Sequence, residues 1–206
     1  MWSNAAVLSL IRHGRTAANA AGLLQGRLDP DLDDVGRWQV EQLPDAVGKV
    51  DRVVSSPLAR ARQTAAVLGA PVDVDERFVE IDYGVFDGLS LTEVGAVNLA
   101  KWRDDVNFAP DGGESLSELY QRVGPALEDL REDATGRHVV VVSHVLPIKA
   151  GVAWALGIEV DTAWRLHLDQ ASISRIVFTD AGPVLRSYND VAHLSGGPPG
   201  SGPRVL

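Results

Sequence analysis

The sequence predicts an α/β domain of three layers, an α/β/α sandwich around a mostly parallel central sheet. Two observations carry that expectation. Short apolar runs at residues 7–11, 51–55 and 139–143 alternate with segments of helical period. The run Val139-Val140-Val141-Val142 is also apolar without interruption, as in parallel strands covered on both faces.

Each element has a local reason. After the strand at residues 51–55, Ser56 reads as an N-cap with Pro57 at the first helical position. Leu58, Ala61, Ala65 and Leu68 then share a face, and Gly69 marks the stop. Asp73-Val74-Asp75 reads as a turn. Ser115 and Glu118 form a capping box ahead of Leu116, Leu119, Val123 and Leu127, and Pro125 kinks that helix without splitting it. Pro147 is expected to open a further helix, with Ile148, Val152 and Leu156 on one face and Gly157 as its end. Two late strands, at residues 172–179 and 183–188, are joined by the turn Asp180-Ala181-Gly182. Residues 83–113 lack a clean period and read as an insertion covering the site, within one domain at residues 1–190. Residues 191–206, rich in Gly and Pro, read as a flexible tail.

Composition narrows the function. With 206 residues, 45% hydrophobic and 23% charged, the chain is expected to build one well-filled core. The absence of cysteine rules out thiol nucleophiles and thiolate metal sites. A net charge of −9 argues against nucleic acid as a partner. The first residues lack a basic leader, and the apolar run ends at Arg12, so neither a signal peptide nor a membrane span is expected. A cytoplasmic protein is the default; oligomeric state is not readable.

Two of the strands end on histidine: Arg12-His13-Gly14 closes the first run and Ser143-His144 closes another. Carboxyl ends of strands are where open α/β sheets bind ligands. A neutral imidazole there can attack phosphorus and divide one displacement into two. Arg12 and Arg60 supply guanidinium groups for phosphate oxygens, Arg60 from the first turn of its helix. The departing alkoxide needs a proton, for which Glu80, Asp82 and Asp87 are candidates that local sequence does not separate.

The segment Leu10-Ile11-Arg12-His13-Gly14-Arg15-Thr16-Ala17-Ala18-Asn19 resembles the defining motif of the histidine phosphatase superfamily, the phosphoglycerate mutase-like proteins. Similar segments follow in family order: Gln25-Gly26-Arg27, Val35-Gly36-Arg37, Ser55-Ser56-Pro57-Leu58-Ala59-Arg60, Glu80, Asp111-Gly112-Gly113-Glu114-Ser115 and Val142-Ser143-His144. The likeness spans about residues 7 to 190 and implies the phosphoglycerate mutase-like fold. It implies that His13 is the phosphorylated nucleophile, and that Arg12, Arg60 and His144 complete the phosphate pocket. Asn19, Gln25 and Gly26 are implied as supporting contacts and Glu80 as the proton donor. No metal or organic cofactor is implied.

Two positions depart from the pattern. Arg15 stands where Glu or Gln is common, adding a cation expected near the mouth. Val145 stands where glycine follows the second histidine. The mutases of this superfamily carry more sequence between the acid and the second histidine, so the expected activity is hydrolysis of a small phosphorylated metabolite. A cofactor-dependent mutase-type phosphotransferase is the runner-up, and a non-catalytic phosphometabolite-binding protein the weaker alternative. Trp38, Trp154 and Trp164 are expected to pack; Trp102, in the insertion, is expected to reach substrate.

Overall fold

The computed structural model describes residues 6–197 and contains one six-stranded sheet. Its strands are β1 (Val7–Arg12), β2 (Arg52–Ser55), β3 (Val72–Val74), β4 (His138–Ser143), β5 (Ile173–Thr179) and β6 (Gly182–Asp190). They lie in the order β3-β2-β4-β1-β5-β6; β1 to β4 pair in parallel, and β5 runs antiparallel to both neighbours. The helices are α1 (Ala17–Ala20), α2 (Asp34–Glu41), α3 (Leu43–Val47), α4 (Ala59–Ala66), α5 (Leu91–Val94), α6 (Ala96–Asp104), α7 (Leu116–Asp133) and α8 (Val145–Leu156). No helix among the described residues is long and apolar enough to cross a membrane.

Alternation along the central strands splits the interior in two. Leu8, Leu10, Val139 and Val141 face a core shared with Leu119, Val123 and Leu127 of α7 and Ile148 of α8. Ile11, Val140 and Val142 face the other core, with Val40, Leu43, Ala61 and Ala65 of the α2–α4 side. A fully buried aliphatic side chain contributes about 2 kcal/mol, so β4 is anchored from both faces. The expected three-layer sandwich is present.

Several boundaries differ from expectation, and each difference has a cause. The helix after β2 begins at Ala59 with Leu58 as N-cap. Ser56 is not its cap because the Ser56 hydroxyl is bonded at 2.7 Å to His144 Nε2, with the Leu58 N–H only a distant donor at 3.4 Å. Asp73-Val74-Asp75 is not a turn: Val72–Val74 add a parallel edge strand to β2, all three exposed and so without an apolar signature. The helix placed at Pro147 starts at Val145, because Glu80, far away in sequence, accepts the Val145 and Leu146 N–H groups.

Elsewhere, the Ser115–Glu118 capping box is formed, α7 runs unbroken through Pro125, and Gly157 closes α8 at φ +63°. At the chain's end Ala192–Leu194 form a 3-10 turn at the head of the segment expected to be a flexible tail; residues 198–206 lie outside the described region.

Candidate active site

The register of the two central strands brings the histidines together. Arg12 on β1 is paired with Ser143 on β4, and the His13 N–H donates to the Ser143 carbonyl at 3.0 Å. His13 and His144 therefore leave adjacent strand ends side by side, ring centroids 5.0 Å apart and planes at 57°. The turn after His13 is held against α2 by mutual close approach. A Cβ at Gly14 would lie 2.7 Å from the Gly36 carbonyl, and one at Gly36 would lie 2.0 Å from that of Arg15. Glycine is required at both positions for the loop to seat.

His13 is 3% exposed, and its Nδ1 lies 2.7 Å from the Gly14 carbonyl, which can only accept. Nδ1 thus carries the proton and Nε2 presents a lone pair. Burial, with the charges of Arg60 and Arg12, holds His13 well below the usual imidazole range, so the ring is neutral. His144 is lowered in the same way, by burial first and then by Arg60, His13 and Arg12. His144 Nε2 is bonded to the Ser56 hydroxyl at 2.7 Å. His144 Nδ1 is buried and without a partner among the described residues.

Both arginines are held by backbone. Arg12 donates to the Leu168 carbonyl at 2.5 Å. Arg60, fully buried, donates to the carbonyls of Leu28, Gln25 and Gly26. Burial lowers the Arg12 guanidinium to about 10 and lowers Arg60 too, yet both stay charged at neutral pH. Arg12 Nε, Arg60 Nε and Gln25 Nε2 are buried donors lacking a protein acceptor among the described residues, and His144 Nδ1 is a buried ring nitrogen likewise without a partner. Buried polar groups are rarely left unpaired, and donors of one kind gathered around His13 match a polyanionic group.

Among the residues lining the cavity at this sheet edge, which measures about 480 Å³, Glu80 is the one carboxylate. It accepts from the N–H groups of Ile81 and Leu146 on Oε1 and of Val145 on Oε2. Burial nonetheless raises its pKa above the usual range, against those bonds and the charges of Arg60 and Arg12. The other two acid candidates are committed elsewhere. Asp87 gathers the N–H groups of Gly26, Arg27 and Leu28, and Asp82 accepts from Gly84 and Arg27. Among the described residues no cluster of His, Cys, Asp or Glu is suited to hold a metal ion.

The remaining expected residues divide. Asn19 and Gln25 line the cavity: Asn19 Oδ1 closes the Thr16 capping box, and Gln25 Oε1 accepts from the Thr16 hydroxyl. Val145 lines it as well. Gly26 does not line it; its N–H is taken by Asp87, and a Cβ there would meet the Ile81 carbonyl at 2.6 Å, so it serves close packing. Arg15 does not line the cavity; its Nε is bonded to Asp33 at 2.8 Å. Trp102 is buried behind Tyr83, edge to face at 5.1 Å, and does not line the cavity. Trp164, expected only to pack, does line it. So do Lys149, Arg165 and His167, which sequence reasoning missed. Lys149 carried a signal: Val145, Leu146 and Lys149 share one face of a helix that starts at the second histidine.

Comparison with known proteins agrees with this geometry. The family model described as histidine phosphatase superfamily (branch 1) matches residues 8–191. The chain is similar to phosphoserine phosphatase 1 of Hydrogenobacter thermophilus, 33% identical over 199 residues, covering 91% of this chain and 93% of that one. It is also similar to a probable phosphoglycerate mutase of Klebsiella pneumoniae, 34% identical with 90% and 93% covered. Among solved structures, a phosphoserine phosphatase variant from Entamoeba histolytica in complex with phosphoserine superposes with a TM-score of 0.84. The two chains are 30% identical, with 91% of this chain and 98% of that one covered.

Proposed function

The chain belongs to the histidine phosphatase superfamily, and from that premise we propose that it hydrolyses a small phosphomonoester through a phosphohistidine on His13. The observation that carries this reading is the fixed orientation of His13. Its Nδ1–H is spent on the Gly14 carbonyl, so Nε2 is the free lone pair, and Arg12, Arg60 and His144 each keep a buried nitrogen without a partner among the described residues.

In the first step Nε2 forms a bond to phosphorus as the ester P–O bond breaks. The electron pair leaves on the alkoxide, which takes the proton held by Glu80. Arg12, Arg60, Gln25, Asn19 and His144 donate to the phosphoryl oxygens, whose charge is spread in the transition state. In the second step Glu80, now a carboxylate, takes a proton from water; the water oxygen bonds to phosphorus and the P–N bond breaks, releasing phosphate. Val145 contributes through its backbone, since its N–H holds Glu80 in place.

Acid-labile, base-stable phosphate on His13 after a rapid quench, absent in His13→Asn, is the expected result. Loss of phosphate release by at least about 10⁴-fold should accompany that substitution. An active, folded His13→Asn protein overturns the mechanism. The similarity to a probable mutase favours a second reading, transfer to a phosphoglycerate acceptor. Isomerisation of 3-phosphoglycerate, primed by a bisphosphoglycerate, outpacing phosphate release would establish it in place of hydrolysis.

A further inference from the structure

Beyond the phosphate cage the cavity holds two cations that the chemistry above does not use. Lys149 lies on α8 one turn after Val145, a rise of about 6 Å along the helix axis. Its ammonium is largely buried, lines the cavity, and has no carboxylate, carbonyl or hydroxyl partner among the described residues. Arg165, at the end of the 3-10 segment Val160–Arg165, lines the same cavity, is exposed, and is likewise without an ion-pair partner among the described residues. Several other arginines are matched to carboxylates: Arg15 to Asp33, Arg77 to Asp75 and Asp129, Arg122 to Glu114. An ammonium taken out of water without a counter-charge is costly, and a chain of net charge −9 has carboxylates to spare. Leaving this one unmatched beside the cage is suited to a ligand that brings its own anion.

We propose that Lys149, assisted by Arg165, binds a carboxylate of the substrate, so that the preferred substrates are compact phosphomonoesters carrying a carboxylate a short carbon chain from the ester oxygen. This rests on the phosphatase reading of the same site. The chemistry is one of selection: the cage fixes the phosphoryl group, and the cation one helical turn away tests what is attached to it. Leu23, Leu24 and Leu166 line the same cavity, an apolar stretch of wall that offers no hydrogen bond to a neutral polyol in exchange for its lost water.

The charged and titratable groups lining the cavity with Lys149 are Arg12 and His13 at the end of β1, Glu80 and Tyr83 in the loop after β3, and Arg165 and His167 from the 3-10 segment and its exit. Burial first, then the charge of Arg12, lowers the Lys149 ammonium to about 8, with Glu80 opposing. Carboxylate recognition should therefore fade as pH rises through that value.

The test measures kcat/KM for O-phosphoserine and 3-phosphoglycerate against glycerol 2-phosphate and phenyl phosphate, which lack the carboxylate. Lys149→Met should lower the carboxylate-to-neutral ratio at least tenfold, mainly through KM, and Lys149→Arg should restore much of it. In the native protein the same ratio should fall above pH 8, a dependence that Lys149→Met removes. Circular dichroism and thermal unfolding of both variants report folding; should Lys149→Met not fold, the Lys149→Arg ratio and the native pH profile decide. An active enzyme whose ratio is unchanged by the substitution or by pH overturns this inference and leaves the phosphatase reading standing. No phosphate release from any ester by the native protein overturns the phosphatase reading itself.

Discussion

The two walls of the cavity are built differently. On the cage side, four side chains are tied to backbone, while His144 is bonded to the Ser56 hydroxyl and Gln25 accepts from that of Thr16. His13 is held by the Gly14 carbonyl, Arg12 by that of Leu168, Arg60 by three carbonyls, and Glu80 by three N–H groups. On the opposite side, Lys149 and Arg165 have no such ties, and His167 is held by one carboxylate, Asp169, at 3.0 Å. The groups proposed to meet the phosphoryl group are largely fixed by main chain: Arg12 and His13 at the end of β1, Arg60 on α4 and Glu80 in the loop after β3. The groups proposed to meet the variable part of a substrate stand on a helix turn and a 3-10 segment, where side chains alone decide their reach.

The sharpest way to break this contrast is to alter a cage residue and see whether the loss tracks the leaving group. Glu80→Gln removes the transferable proton while keeping an oxygen for one of the backbone bonds. It should lower kcat by about two to four orders of magnitude for alkyl phosphates and much less for aryl phosphates, whose leaving oxygens need less protonation. Equal losses on both classes would mean that Glu80 acts only as a cap for α8. Because burial raises the Glu80 pKa, kcat for alkyl esters should also decline on the alkaline side as that proton is lost.

A smaller effect sharpens the contrast through stability. His13 and His144 are held neutral by burial, well below the value of 6.5 they take in the unfolded chain. As pH falls below 6.5 the unfolded chain gains protons that the folded one refuses, so stability should drop by up to about 1.4 kcal/mol per pH unit for each histidine. Glu80 acts with the opposite sign, since the folded protein keeps a proton that the unfolded chain sheds above 4.5. Urea unfolding between pH 7.5 and 5 should show the acid loss, and His13→Asn combined with His144→Asn should remove most of it. His138, away from the cage and also lowered by burial, should contribute less when replaced by Asn. A slope untouched by the cage substitutions would place the acid sensitivity elsewhere.

The same division governs what could be read from sequence. The strands, their burial on both faces and the two terminal histidines were legible because apolar runs and the residues that end them are contiguous. The start of α8 was not, because its cap is Glu80, brought in from a distant loop. The edge strand Val72–Val74 was missed because an exposed strand carries no apolar run. Choosing Glu80 over Asp82 and Asp87 needed coordinates: all three are near in sequence, and only burial tells them apart. Trp102 and Trp164 exchanged roles for a related reason. Both are indoles in weakly patterned segments, 5.7 Å apart in the fold, and of the two only Trp164 lines the cavity.

Arg15 supplies the smallest and most discriminating test. By sequence it is one more cation beside the nucleophile and a rival to Lys149 for a second anion. In the fold its side chain turns to Asp33 at 2.8 Å, both partly exposed, while its backbone N–H is held by Gln39 Oε1. Ion pairs of that exposure contribute up to about 1 kcal/mol, which for a domain of this size shifts Tm by about 2–4 °C. Arg15→Ala should therefore cost a few degrees in a thermal melt. It should change kcat/KM by no more than about threefold, equivalent to less than 1 kcal/mol, on esters with or without a carboxylate. A selective loss on the carboxylated esters would move the second anion from the α8 side to the β1 loop, and the two walls would no longer divide the work between chemistry and choice.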